Sequence, residues 1–139
     1  MTEAQKVNLI EGTIFIALMA YGYYRHPALD FWTIISGLLF IGGAALGVKA
    51  RHELAECFSG TPKAIRIVRS GVYAKIRHPI YIGGLLISIS LCLLYRNLIF
   101  YCVLLVVCVI QSIRARTEEK LLLKTFGQEY INYKNSTWF

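Results

Sequence analysis

The chain has 139 residues, of which 56% are apolar or aromatic and 17% charged, with a net charge of +7. A charged share below the roughly 25% of an ordinary soluble domain excludes disorder and argues against a small water-soluble core. The length argues against several domains, and a positive excess on so apolar a chain points to membrane sidedness before nucleic acid.

The apolar residues fall in four blocks. The first, residues 7–24, contains one acid, Glu11; it has neither the basic lead nor the small-residue cleavage site of a signal peptide, so it reads as a helix. The second, residues 31–48, carries no charge and contains Gly42, Gly43 and Gly47, small residues spaced to let helix backbones approach closely. Packing within the bundle is one use for that stripe, and a homodimer face is the other. Residues 49–58 read as a helical extension of this block. A break follows at Ser59-Gly60-Thr61-Pro62, then a short extended stretch at 65–68 and a turn at Ser70-Gly71.

Residues 71–84 gather Tyr73, Arg77, His78 and Tyr81 at the mouth of the third block, 80–94, with Pro79 suited to a first helical turn. The exposed N–H groups of that helix start suit an anion or polar ligand, while a headgroup-level anchor is the plainer use of the same residue types. Tyr95-Arg96-Asn97 then separates the third block from the fourth, residues 98–113, as in a helical hairpin. Beyond it, Arg114 to Tyr133 continues the fourth helix, with Arg114 and Glu118 four apart on one face. The hairpin returns Arg114 to the side that holds His78.

A bilayer core of roughly 30 Å needs about 20 helical residues, which the first two blocks supply and the last two reach with flanking residues. The expected fold is therefore all-α: an integral membrane helical bundle of about four transmembrane helices, with a hairpin and a cytoplasmic C-terminal helical extension. All 139 residues form a single domain, with helices at about 7–24, 31–50, 79–94 and 98–126. Thirteen basic residues lie on the side of the termini and the long middle connection, against two, Arg25 and Arg96, on the other. The positive-inside rule then makes both termini and the middle connection cytoplasmic. The cysteines, Cys57, Cys92, Cys102 and Cys108, have no metal-ligand spacing, so no metal site is expected.

The pattern Gly71-x-Tyr73-x-x-x-Arg77-His78-Pro79-x-Tyr81, a hairpin, then Arg114-x-Arg116-x-Glu118-Glu119, Phe126-Gly127-x-Glu129-Tyr130 and Tyr133 resembles the isoprenylcysteine carboxyl methyltransferase family. Membrane methyltransferases that act on phospholipid amines are similar in broad pattern. The resemblance implies an integral membrane enzyme using S-adenosylmethionine without a Rossmann domain. It implies cofactor contacts from Ile65, Arg66, Ile67 and Val68, from Tyr73, from His78, Pro79, Ile80 and Tyr81, and from Glu118. Arg114 is implied to meet the substrate, a lipophilic molecule entering from the bilayer. A carboxylate substrate is already a nucleophile and needs a cation to hold it, which Arg114 offers as a planar two-pronged donor. An amine would need a proton acceptor, for which His78 and Glu119 are the candidates.

The resemblance has departures. The family often has His where this chain has Ile65, and it commonly runs on to a Pro-containing end, whereas here Lys134-Asn-Ser-Thr-Trp-Phe139 follows. The eukaryotic prenylcysteine enzymes also carry more membrane helices before this core, which points to another, smaller lipophilic substrate. The second Arg-His-Pro, at Arg25-His26-Pro27, falls on the opposite side and reads as coincidence. Two other readings stand beside O-methylation and the amine N-methyltransferase. A sterol-type reductase ends in a similar motif, and a non-enzymatic module would bind anionic lipid. No nucleic-acid partner is needed to explain the charge.

Overall fold

The computed structural model describes residues 3–25, 30–57 and 67–138. These form five α-helices and one 3-10 turn, with no strand among the described residues: α1 Glu3–Arg25, α2 Phe31–Cys57, the 3-10 turn Gly71–Ala74, α3 Pro79–Tyr95, α4 Leu98–Phe126 and α5 Gln128–Ser136. The all-helical expectation holds, and α2 does run on past its apolar block.

Two helices, Phe31–Leu54 and Leu98–Phe126, are long and apolar enough to cross a membrane; α3, also apolar, is shorter at 17 residues. Their apolar side chains face outward. Phe31, Ile34, Leu38, Ile41 and Val48 of α2 are exposed, as are Leu98, Leu105, Val106 and Ile113 of α4. No residue of α4 is fully buried. Apolar surface on this scale is unusual on a water-facing monomer and gives the molecule its membrane character.

The shortest of the apolar helices is the central one, since α3 packs against α1, α2 and α4. Its contact with α2 is close because both backbones are bare there. A Cβ on Gly43 would meet the Gly83 carbonyl oxygen at 2.8 Å, and one on Gly83 would meet the Gly43 oxygen at 2.8 Å and the Gly47 nitrogen at 3.1 Å. Within the glycine stripe, Gly43 therefore faces α3 of its own chain, with the Gly47 backbone beside it, whereas a Cβ on Gly42 would meet nothing within 4 Å. Buried Ser36 donates to the Ser90 carbonyl at 2.9 Å along the same seam. Met19, Leu91 and Leu94 form an apolar cluster with Phe15, Leu18 and Phe40 packed around it, and the Tyr95 hydroxyl closes it by donating to the Leu18 carbonyl at 2.7 Å.

One end of the bundle is made by the short connections. Asp30 caps α2, its Oδ1 accepting from the Thr33 backbone N–H at 2.9 Å and from the Thr33 hydroxyl at 2.6 Å. Its other oxygen pairs with Arg96. The Thr33 hydroxyl bond foremost, then that pairing, holds the Asp30 carboxyl down at about 2. Arg96 adopts φ 47°, and the Asn97 side chain accepts from the Ile99 N–H at 2.7 Å, so the α3–α4 hairpin turns on these two residues. The start of α2 and the α3–α4 turn thus share an end.

Helix α4 ends at Phe126, as the expected bounds of 98–126 have it, but the helical continuation expected from Arg114 to Tyr133 is broken at Gly127, which at φ 52° redirects the chain into α5. Combined with ψ −124°, that φ is readily adopted only by glycine. The stretch expected to be extended is described from residue 67, and 67–69 have no regular structure. Residues 26–29 and 58–66 lie outside the described residues, and with them the second His-Pro, the Pro62 break, Ile65 and Arg66.

Candidate functional site

At the other end, local chain geometry sets the direction of each side chain. Residue 78 precedes a proline, which disfavours the helical region, and His78 sits at φ −123°, ψ 56° just before α3. Its ring makes no capping bond, which leaves both nitrogens for the neighbouring helix. Pro79 is buried at the first helical position, where no N–H is missed. Tyr81 lies three residues on, and its ring stacks on His78 with centroids 5.5 Å apart and planes 25° apart.

Helix α4 supplies the carboxylates. Tyr81 donates to Glu118 Oε2 at 3.1 Å, and His78 Nδ1 lies 3.8 Å from the same oxygen. His78 Nε2 lies 3.4 Å from Glu119 Oε1. The segments expected to converge therefore do so, across a hairpin that separates Tyr81 from Glu118 by 37 residues. The Glu118 side chain is 48% exposed, and its Oε1 has no protein partner among the described residues. Arg114, one turn back on the same helix, is exposed and unpaired among the described residues, and its charge reaches the Tyr81 phenol.

Motif residues, together with Glu53 and Lys134, which the sequence does not single out, hold this arrangement. Glu119 is a junction, accepting from Lys134 Nζ at 2.9 Å and lying 3.7 Å from Arg77 Nη1. The Arg77 Nε and the Tyr130 hydroxyl are buried without a hydrogen-bond partner among the described residues, and a bridging water is the ordinary partner for such groups. Glu53 of α2 accepts from the Val72 N–H at 2.8 Å and fixes the 3-10 turn. Gly71 enters that turn at φ 58°, and any Cβ there would collide with the Glu53 carboxylate.

Helix α5 folds back over the turn. The Tyr133 hydroxyl donates to the Tyr73 carbonyl at 2.7 Å, Arg69 pairs with Glu129 at 2.9 Å, and the Trp138 N–H donates to the Lys75 carbonyl at 2.9 Å. Burial pushes the Tyr130 phenol up to about 12 and raises Tyr73 and Tyr133 as well. Val68 and Tyr73 are buried with Ala50, and Ile80 packs on them, so these four form an apolar floor beside the polar cluster. Ile67, half-buried, precedes this floor in the chain. Of the expected site residues, Ile65 and Arg66 alone lie outside the described residues.

The cluster offers flat aromatic faces, a carboxylate with a spare oxygen, an unpaired guanidinium and an apolar floor. Among the described residues no group of three or more His, Cys, Asp or Glu side chains could hold a metal ion.

Comparison with known proteins bears on what such a cluster does. A family model described as phospholipid methyltransferase matches residues 31–129, which include both halves of the cluster. The protein-S-isoprenylcysteine O-methyltransferase of Saccharomyces cerevisiae is 34% identical over 133 residues, covering 91% of this chain and 55% of the relative. Its namesake in Schizosaccharomyces pombe is 27% identical over 132 residues, covering 94% of this chain and 55% of the relative. That of Mus musculus is 42% identical over 111 residues, covering 74% and 39%. The chain spans about half the length of the yeast relatives it matches.

Proposed function

Because the chain belongs to the phospholipid methyltransferase family and is similar along most of its length to protein-S-isoprenylcysteine O-methyltransferases, we propose that it is an integral membrane methyltransferase. In this reading it moves a methyl group from S-adenosylmethionine to the carboxylate of a lipophilic substrate. The observation that carries this is the meeting of His78 and Tyr81 with Glu118 across the α3–α4 hairpin.

S-adenosylmethionine supplies an activated methyl together with its own leaving group, so the protein's share of the work is positioning and exclusion of water. The residues present fit that ligand. The stacked His78 and Tyr81 rings give an adenine a flat face, and the spare oxygen of Glu118 accepts from ribose hydroxyls or an ammonium. Tyr73, Val68 and Ile80 form the apolar floor, with Pro79 fixing the entry to α3. Ile67, next to Val68 in the chain, belongs to the same side, and the expected cofactor contacts of Ile65 and Arg66 fall outside the described residues.

Arg114 holds the substrate carboxylate with two parallel donors. A carboxylate arrives deprotonated, so no base is required. The amine alternative would need His78 or Glu119 to take a proton. Glu119 is already engaged by Lys134 and Arg77, and the two ring nitrogens of His78 already face Glu118 and Glu119. That observation favours oxygen as the acceptor atom.

Helices α1 to α4 cross the bilayer in this reading, α3 with the help of flanking residues, and the polar end of α4 with α5 forms the extension. Both termini and the site are cytoplasmic, on the side of the thirteen basic residues. The chain works as one domain, drawing its substrate from the surrounding lipid.

Titration calorimetry with S-adenosylhomocysteine on purified protein tests the cofactor site. Glu118→Ala and His78→Ala are expected to weaken binding about tenfold or more, the usual scale for losing a bond to a charged group. Arg114→Ala is expected to leave that affinity alone and raise the KM for the methyl acceptor. Unchanged affinity in both of the first two variants would remove this site. Base-labile label transferred from radioactive S-adenosylmethionine identifies an ester; base-stable label would indicate the amine reading.

A further inference from the structure

A groove of about 440 Å³ lies between α4 and α5, on a different face of Glu119 from the one that meets His78. Three cations line it: Arg116 and Lys120 from α4, and Lys134 from α5. Arg116 and Lys120 are four apart, hence on one helix face, and both are exposed and make no ion pair among the described residues. Glu119 is the single acid in the lining, and Lys134 already neutralises it at 2.9 Å. The groove therefore presents two uncompensated positive charges at its mouth. Its remaining wall is apolar, with Leu123 and Ile131 exposed at 44% and 38%.

Depth identifies the occupant. At 1.5 Å per residue, Arg116 and Lys120 lie about 27 and about 33 Å along α4 from Leu98. The bilayer hydrocarbon is about 30 Å thick, so the pair stands at the level of lipid phosphates. Clustered cations at that level, bordered by apolar side chains, match a headgroup phosphate with the start of its acyl chains.

We propose that the groove formed by Arg116, Lys120 and Lys134 binds the phosphate headgroup of an anionic membrane phospholipid, at a site separate from His78 and Glu118. This rests on α4 crossing the membrane, part of the reading above. A lipid held there bridges α4 to α5 and so steadies the helix that closes over the 3-10 turn.

The test uses the full chain in phosphatidylcholine nanodiscs containing spin-labelled phosphatidylglycerol, with spin-labelled phosphatidylcholine as the reference. The wild-type protein is expected to select phosphatidylglycerol. Combined Arg116→Gln and Lys120→Gln is expected to lower that selectivity about tenfold, because each surface cation contributes a few-fold. Lys124→Gln, on the same helix but outside the groove lining, is expected to leave it unchanged. Absence of wild-type selectivity overturns the site, and so does an equal loss from Lys124→Gln, which would mean diffuse attraction. Loss of the lipid signal on adding inorganic phosphate at constant ionic strength would assign the groove to a soluble anion and overturn the lipid. S-adenosylhomocysteine affinity and resistance to alkaline membrane extraction are measured on the same samples. If both persist while selectivity is absent, the lipid site alone fails; loss of either with selectivity intact counts against the methyltransferase or membrane reading instead.

Discussion

Gly71 shows how much of the site depends on one missing methyl group. Its φ of 58° and the Glu53 carboxylate lying where a Cβ would go leave no room for a side chain. Gly71→Ala is expected to lose about 1–2 kcal/mol from backbone strain alone and more from displacing Glu53. A thermal melt in detergent with and without S-adenosylhomocysteine reads both losses. The buried phenols make a second residue-level prediction. Tyr73, Tyr130 and Tyr133 all have folded pKa values above the usual value of about 10. Raised values favour the neutral form, so their contribution to stability is complete below pH 10 and is lost as pH climbs from there toward 12. The phenolate absorbance of these three should appear together with loss of the fold; a phenolate signal from them near pH 10 in intact protein would contradict the burial. Part of this was legible beforehand. Tyr73, His78, Tyr81 and Glu118 stood out because their types and order match a known motif. Glu53 and Lys134 did not, because each acts through a single long-range contact that leaves no local pattern.

Among the elements, the contact between α2 and α3 is the tightest. Gly83 has its partner's backbone within 2.8–3.3 Å of where a side chain would start, whereas a Cβ on Gly42 would meet nothing within 4 Å. Gly83→Leu is expected to cost at least about 1–3 kcal/mol through overpacking, and Gly42→Leu to be tolerated. Melting the two variants side by side checks this; equal behaviour would mean that the helices are not in contact there. The helices themselves were legible to within a few residues, because length and apolar content decide them. The end of α4 falls at the expected residue 126. The turn into α5 was not legible, because residues 114–133 keep a helical composition throughout and only the backbone conformation at Gly127 reveals it. Of the expected 65–68 extended stretch only residues 67 and 68 are described, and they carry no strand.

The whole molecule has two unlike ends. One is closed by the compact pairing of Asp30 and Arg96 between two short connections. The other collects the polar residues from segments far apart in the chain. Charge counting separated these ends before any coordinates, because basic residues divide thirteen to two. It could not say that the centre of the bundle would be α3, which is shorter than either candidate span. An α3 packed on three sides touches less lipid than its neighbours, and so has less need of length.

The clasp between α5 and the 3-10 turn has a temporal consequence. Tyr133 to Tyr73 and Arg69 to Glu129 each join residues 60 apart in sequence. Such contacts close only after the intervening hairpin is in place, and they are few compared with those of the bundle. The polar end is therefore the last part to form and the first to open. In hydrogen exchange, the Val72 and Tyr73 amides should lose protection in step with the amides of α5, well before those of α3. Ligand at the proposed cofactor site should slow that opening without altering the exchange of the bundle, so the protein would bind and release through a brief local melting.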